Sequence, residues 1–340
     1  MDGALPSKRQ NIHRRQTPMK YRSRSALFLL PLAFGPWAAR AQDPWPNHPV
    51  RLIIPFPPGG STDSQGRLVG QHLGELWRQP VIADNRPGAG TVLATNTVAK
   101  AQPDGYTLGI VVSSHAINPT LRPNLPYDTL KDLLPISEIG VQHIILVANP
   151  SLPANNLQEV LELARKDPGK LSYASPGSGT AHHLVMELLK SRTGVNIVHV
   201  PYRGGAPAQQ DVMGGQVPLL MDTYYASEAL IKAGKLKPIA LFSPKRPASL
   251  PDIPVVAETV PDVSATSSVG LVAPAGTPSA VIARISSDIA RSVRTKAFAD
   301  RLLTMGLDPV GSSPQEYDQR IRGDILKWAP VIKATGATAD

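Results

Sequence analysis

Phe56-Pro57-Pro58-Gly59-Gly60-Ser61-Thr62-Asp63 separates an apolar run, Val50-Arg51-Leu52-Ile53-Ile54, from a segment with Leu68, His72 and Leu76 at helical spacing. The apolar run predicts a buried strand and the spacing predicts a helix. A strand that breaks at Pro-Pro-Gly-Gly and restarts as a helix leaves backbone N–H groups unpaired at the positive end of the helix dipole. Such a turn can bind an anion. Gly59 and Gly60 carry no Cβ to hold a ligand off the main chain, and Ser61, Thr62 or Asp63 is expected to cap the helix.

The rest of the chain bounds what this turn can serve. Its 340 residues are 42% hydrophobic, enough for two packed domains. The 35 prolines and 27 glycines make it turn-rich without reaching low-complexity composition. It contains no cysteine, which excludes disulfides and thiolate metal sites and fits export to an oxidising compartment. The net charge of +9 belongs mostly to residues 1–41, where eight basic side chains face only Asp2; beyond them 27 basic and 25 acidic residues leave +2. No basic footprint for nucleic acid remains.

Residues 1–41 predict a leader ending in a secretory signal, with Met19 as the natural start. Lys20, Arg22 and Arg24 precede the apolar stretch 26–34, and Ala39-Arg40-Ala41 forms a small-x-small cleavage site before Gln42. The apolar stretch is too short to anchor in a bilayer, so the expected product is a periplasmic, soluble protein.

From Gln42 strands and helices alternate, which predicts an α/β protein with mainly parallel sheets. Residues 80–84 read as a second strand, followed by Asn85-Arg86-Pro87-Gly88-Ala89-Gly90 and a helix with Val92, Leu93 and Val98 on its apolar face. Tyr106 to Val112 reads as a third strand ending in Ser113-Ser114-His115. Ligands of open α/β folds bind at such carboxyl ends. A second unit is expected from Ile144-Ile145-Leu146-Val147. Its strand 171–174 breaks at Ser175-Pro176-Gly177-Ser178-Gly179-Thr180 before a helix with Leu184, Leu188 and Leu189, repeating the first turn. Strand 197–200 runs into Tyr202-Arg203-Gly204-Gly205, and strand 217–221 ends at Asp222. The chain then returns along 269–272 to the first domain, and two packing stripes follow: Ile282, Ile285, Ile289, Val293, then Tyr317, Ile321, Ile325, Trp328, Ile332. The expected lobes are 42–143 with 266–340, and 144–265; two crossings between them predict a hinge and a clamp that closes on ligand.

Pro55 to Asp63, Asn85 to Gly90, Pro103-Asp104-Gly105-Tyr106-Thr107-Leu108, His199-Val200-Pro201-Tyr202 and Ala273-Pro274-Ala275-Gly276-Thr277-Pro278 stand in an order that resembles the Bug family. These are extracytoplasmic solute-binding receptors of tripartite tricarboxylate transporters. The resemblance implies a type II periplasmic-binding-protein (Venus flytrap) fold and a small carboxylate held in the cleft by the loops Pro58 to Asp63 and Ser175 to Thr180. Phe56 and Tyr202 would line the cleft, and Ser113 to His115 would help to select the ligand. It also implies membrane permease subunits as partners and a monomeric receptor. Three positions depart from the family pattern: Thr91 where a third glycine is common, Pro218 in place of an acidic residue, and Ser268-Val269 in place of an aromatic pair.

No catalytic constellation stands beside this reading. Gly177-Ser178-Gly179 lacks the nucleophile-elbow spacing, and His182 occupies the place of the third glycine of a dinucleotide fingerprint. His182 and His183 point about a hundred degrees apart on a helix, so no metal site is expected, and no cofactor. His183 reads as a packing or capping histidine or as a ligand contact, and Arg203 as a surface charge or a cation at the cleft. Arg86 is expected to brace its turn by bonding carbonyls, and Asp63 to act as a cap or acceptor. The expected activity is capture without chemistry; the alternatives are a secreted hydrolase of small acids and a ligand-sensing receptor for a signalling partner.

Overall fold

The computed structural model describes residues 45–338, with residues 16, 17 and 19. The signal-peptide reading, Met19 apart, lies outside the described residues.

The first half is built from β1 (Val50–Ile54), α1 (Ser61–Trp77), β2 (Val81–Asn85), α2 (Val92–Ala99), β3 (Thr107–Val112) and α3 (Ser114–Leu121). Next comes β4 (Leu133–Ala148), then α4 (Leu157–Lys166), β5 (Ser172–Ser175), α5 (Ala181–Thr193), β6 (Val198–Pro201), α6 (Gly205–Met213), β7 (Leu219–Thr223), α7 (Tyr224–Lys232) and β8 (Lys237–Leu241). The chain returns through β9 (Thr266–Pro274) to α8 (Ser279–Val293), α9 (Lys296–Thr304), β10 (Asp308–Pro309) and α10 (Pro314–Thr335).

The strands form one path, β2-β1-β3-β9-β4-β7-β5-β6, with β8 and β10 also pairing with β4. β4 joins the two halves. Its residues Leu133 to His143 pair with β9, and from Ile144 onward it pairs with β7 and β8. The strand therefore begins eleven residues before Ile144, where a second unit was expected. Pro135 and Gly140 obscure it in the sequence, and the register shifts between Pro135 and Ser137 and between Glu138 and Gly140, as a proline within a sheet requires. The expectation of mainly parallel sheets is also corrected. β1–β2, β1–β3, β5–β6 and β5–β7 are parallel, while β4 and β9 are antiparallel to every strand they pair with. Strands that carry the chain out to a second half and back must run against the right-handed units on either side.

β1 lies between β2 and β3, and Leu52, Ile53 and Ile54 are buried, as a central strand covered on both faces demands. α1 covers one face with Leu68, Val69, Leu73 and Trp77. Leu76, expected on that stripe, is 47% exposed. The buried arc is centred on Val69 and Leu73, because Gly66 and Gly70 let the helix sit close over Ile54 and Leu52. Leu93 is likewise exposed, while Val98 of the same helix is buried.

α10 opens with a capping box, Ser313 with Glu316, and Pro314 in its first turn. Its apolar stripe serves both halves. Tyr317 and Ile321 pack with Ile53, Val111 and Val272, whereas Trp328 and Ile332 pack with Leu184, Leu188 and Leu189. Each such side chain contributes about 1.5–3 kcal/mol by leaving water. α3 is shared in the same way: Ala116 belongs to the first core, Ile117 and Leu121 to the second.

Candidate functional site

The first strand-to-helix loop is open to solvent at Phe56, Pro58, Gly59 and Gly60, while Thr62 and Asp63 are buried. Gly60 is the N-cap of α1 and no side chain caps it; Ser61, Thr62 and Asp63 are the first helical residues. The expected hydroxyl cap is replaced by Asp63 reaching backwards. Its Oδ2 accepts the Gly59 N–H at 2.9 Å, and its Oδ1 accepts from Arg67 Nε at 2.9 Å and Asn85 Nδ2 at 2.8 Å. Burial works to raise the pKa of Asp63, but the hydrogen bonds from Arg67, Gly59 and Asn85 and the charge of Arg67 outweigh it and hold the carboxyl below its ordinary value. The negative charge is therefore neutralised inside the loop, and the Ser61 and Thr62 amides at the head of α1 keep the helix end attractive to an anion. Asn85 also donates to the Phe56 carbonyl at 2.8 Å, tying the loop to the end of β2. Arg86 is exposed and bonds the Asp84 carboxylate at 3.0 and 3.2 Å instead of loop carbonyls, the stronger acceptor being two residues away.

The second loop is built on a buried polar array. Thr180 caps α5, accepting the His183 N–H at 3.3 Å and donating to the Gly177 carbonyl at 2.8 Å. His183 Nδ1 accepts the Gly179 N–H at 3.1 Å, so this nitrogen carries no proton. Its ring stacks on His199 with centroids 4.1 Å apart at 11°, and His199 in turn stacks on Tyr173 at 4.9 Å. His199 Nε2 meets Ser175 Oγ at 2.7 Å, and Ser175 Oγ accepts the Gly177 N–H at 3.2 Å. Burial pushes His199 down to about 3, with His183 and Lys190 adding to the effect. Ser178, half-buried, lies in the chain between these two tethered amides.

Tyr202 adjoins this loop. Its N–H donates to the Ser175 carbonyl at 3.0 Å, and its hydroxyl donates to Asp211 Oδ2 at 2.6 Å; burial and Asp211 push its pKa up to about 12. Arg203 is exposed. Asp222 lies under the start of α6, where a Cβ on Gly205 would be 3.5 Å from its Oδ1. It accepts from Gln209 Nε2 at 2.7 Å, the Thr223 N–H at 2.8 Å and Ser227 Oγ at 2.8 Å; burial nevertheless raises its pKa.

The remaining expected segment, Ser113 to His115, heads α3. Ser113 Oγ accepts the Ser268 N–H at 2.9 Å, which anchors β9, and Ser114 Oγ meets Thr91 Oγ1 at 2.8 Å. His115 is buried, its Nδ1 has no hydrogen-bond partner, and burial pushes it down to about 4. His182 is buried with Nε2 unpartnered and lies at about 4 for the same reason. Among the described residues no group of three His, Asp or Glu is placed to hold a metal ion, and no helix is long and apolar enough to cross a membrane.

Sequence reasoning missed the contacts between halves. Leu121, at the end of α3, lies against Gly179 of the second loop, and Asn118 and Arg122 lie against Gly90. The signal available was the four-residue spacing of Ile117 with Leu121 and of Asn118 with Arg122, which places an apolar pair and a polar pair on adjacent stripes of one helix.

Two α/β halves sharing one sheet through β4, each with a Gly-rich turn from a strand into a helix, define the class: a two-lobed periplasmic-binding-protein fold. The sequence profile of the tripartite tricarboxylate transporter family receptor matches residues 66–337. Protein BugT of Bordetella pertussis is 35% identical over 298 residues, covering 87% of this chain and 91% of BugT. A solved periplasmic transporter is 36% identical, with a TM-score of 0.80 over 87% of this chain and 100% of its own. An R. palustris protein solved with adipate is 34% identical, with a TM-score of 0.81 over 86% of this chain and 99% of its own. The chain belongs to the tripartite tricarboxylate transporter receptor family, the Bug proteins, and is a solute-binding receptor by descent.

Proposed function

We propose that the protein is exported by its N-terminal signal to the periplasm, captures a small carboxylate between its lobes without chemical change, and delivers it to the permease subunits of a tripartite tricarboxylate-type transporter. The observation that carries this reading is the pair of helix-opening loops, 58–63 and 175–180. In the first loop the Gly59 amide is tethered to buried Asp63, and in the second the Gly177 and Gly179 amides are tethered to Ser175 and His183 and Thr180 takes the His183 N–H, so each loop is braced while the Ser61 and Thr62 amides and those of Ala181 and His182 head the two helices towards an anion. The ligand site comprises Phe56, Pro58, Gly59, Gly60, Ser61, Thr62 and Asp63 from the first lobe with Ser113, Ser114 and His115. From the second come Ser175, Gly177, Ser178, Gly179, Thr180, His183, Tyr202, Arg203 and Asp222. Several of these act through the loops they brace: Asp63, Ser175, His183 and Asp222 have their polar atoms engaged with protein groups. The adipate bound by the R. palustris relative supports the ligand class.

The lobes are taken as 42–143 with 266–340, and 144–265, with α10 serving both. A ligand shifts such a clamp towards closure only through contacts from both sides. A thermal-shift screen of the purified protein against mono-, di- and tricarboxylates tests the reading. A ligand at about a hundred times its dissociation constant adds about 2.7 kcal/mol, a shift of several degrees. Shifts by carboxylates and not by matched neutral amides are the expected result; turnover of an ester or amide would replace this reading with a hydrolase.

A further inference from the structure

We propose that Arg122 receives a second carboxylate of the ligand and so selects diacids over monoacids; the assignment rests on the carboxylate-receptor reading above. Arg122 follows directly on α3, the helix that touches both halves. The preceding residue, Leu121, contacts Gly179 in the second loop, and Arg122 itself turns to the other side. Its guanidinium lies against Gly90: a Cβ there would stand 2.8 Å from Nη2, 3.5 Å from Cζ and 3.6 Å from Nε. Two consecutive residues thus bridge the second anion loop and the turn that follows β2.

That turn is held in an unusual shape. Ala89, Gly90 and Thr91 all have positive φ, at 46°, 60° and 79°. Positive φ at alanine and at a β-branched threonine is maintained only where surroundings over-determine it. Here Thr91 N–H bonds the Gly88 carbonyl at 3.1 Å, Thr91 Oγ1 bonds Ser114, and Asn118 Nδ2 donates to the Gly90 carbonyl at 3.0 Å. The result presents the bare face of Gly90 to the guanidinium, and a larger residue would displace it.

Arg122 has no counter-charge. Among the described residues it forms no ion pair and its side chain makes no hydrogen bond, with Nε buried and unpartnered. The other described arginines without an ion pair, Arg78, Arg165, Arg192, Arg203, Arg294 and Arg301, are exposed, where water satisfies them; Arg122 is half-buried. A half-buried guanidinium without an acceptor loses hydration with nothing in return, and its planar fork matches a carboxylate in two parallel hydrogen bonds. The missing acceptor is therefore assigned to the ligand, whose first carboxylate sits on the loop amides.

The test is calorimetric titration of the purified protein and of Arg122→Met and Arg122→Lys with matched pairs: succinate and butyrate, glutarate and pentanoate, adipate and hexanoate. The protein should bind its best diacid at least about tenfold more tightly than the matched monoacid. Arg122→Met should bring the pair within about threefold by weakening the diacid, and Arg122→Lys should retain part of the preference. A wild-type protein that binds both acids of a pair equally, or a diacid preference that survives in Arg122→Met, overturns the assignment while leaving the receptor reading in place. Failure of the wild-type protein to bind any of the acids overturns the carboxylate reading itself and the assignment with it. Thermal melts of both variants check that the fold is kept, and Arg122→Gln, which keeps a polar side chain without the charge, carries the same comparison if Arg122→Met does not fold.

Discussion

The Cδ2 atom of Leu121 occupies the space into which a side chain on Gly179 would project, 2.1 Å from the position of its Cβ. A helix rooted in the first half thus packs directly on the anion loop of the second. The contact sets the height of that loop over α3. It also separates two glycines that look equivalent in the sequence.

Gly179 has φ +75°, whereas Gly60 has φ −80° and finds its nearest neighbour, the Pro57 carbonyl oxygen, 4.0 Å from a built Cβ. Substituting either with a bulky residue reads, from sequence, as a change that removes binding and spares the fold. The structure distinguishes the two: Gly179→Ala should cost about 2–4 kcal/mol in a urea titration, from backbone strain and the collision with Leu121 together. Gly60→Ala should cost less than about 1 kcal/mol. Equal costs at the two positions would show that the Leu121 contact is not maintained in solution.

Asp63 should prove structural and necessary for binding at once. Replacement by alanine removes the acceptor of the Gly59 N–H and the charged partner of Arg67, and leaves Asn85 Nδ2 with the Phe56 carbonyl alone. The expected loss is roughly 1–3 kcal/mol of stability, the net worth of three hydrogen bonds to an ionised acceptor whose donors stay partly open to water. Asp63→Asn preserves the shape and one acceptor and should recover about half. Since its folded pKa is depressed, the contribution of Asp63 is present above the ordinary carboxylate value and lost as the pH falls through the lowered one. Comparing the two variants by chemical denaturation at neutral pH tests the ranking.

What could be read in advance followed from local physics. The turn at Pro57 to Asp63 and the stripes of α8 and α10 are legible because a strand break and a 3.6-residue period are written in neighbouring residues. β4 was legible only from Ile144, since Pro135 and Gly140 interrupt its pattern and the bulges that accommodate them depend on β9. The antiparallel crossing arises from chain return, which no single segment encodes. Within the site, the glycines and hydroxyls announced two loops, but the partners that brace them were hidden by distance along the chain. His199 lies 24 residues from Ser175, and the partners of Leu121 and Arg122 lie on segments that only the fold brings near. Leu76 and Leu93 illustrate the converse: apolar letters at helical spacing do not say which edge of the stripe meets water.

Tyr202 separates a lining residue from a hydrogen-bonding one. Its hydroxyl is engaged with Asp211, so Tyr202→Phe should leave ligand affinity within about twofold and lower stability by about 1 kcal/mol, the net worth of one such bond. Titration calorimetry and urea denaturation of the same variant read the two effects separately. A tenfold loss of affinity would mean that the hydroxyl turns from Asp211 to the ligand on closure.

Stability should fall as the solution is acidified from neutral pH, and histidines set the upper part of that fall. Burial holds His115 and His182 at about 4, where an unfolded histidine titrates near 6.5. Between these values the unfolded chain binds protons that the folded chain refuses, so each histidine removes stability as the pH drops through the window. One proton is worth about 1.4 kcal/mol per pH unit, or about 3 kcal/mol per unit for the two together once both titrate fully in the unfolded state. His199, held at about 3, adds in the same direction. Glu138 and Asp222, both raised by burial, act oppositely, because the folded chain takes up their protons first, and they subtract from the slope wherever they titrate. Urea denaturation at half-unit steps from pH 7.5 to 4.5 should give a plateau above 6.5 and a steepening decline below it. His182→Gln should reduce the slope by about one proton. A decline that starts only below pH 5, or a slope unchanged in His182→Gln, would show that these side chains accept protons in the folded protein and are reached by water.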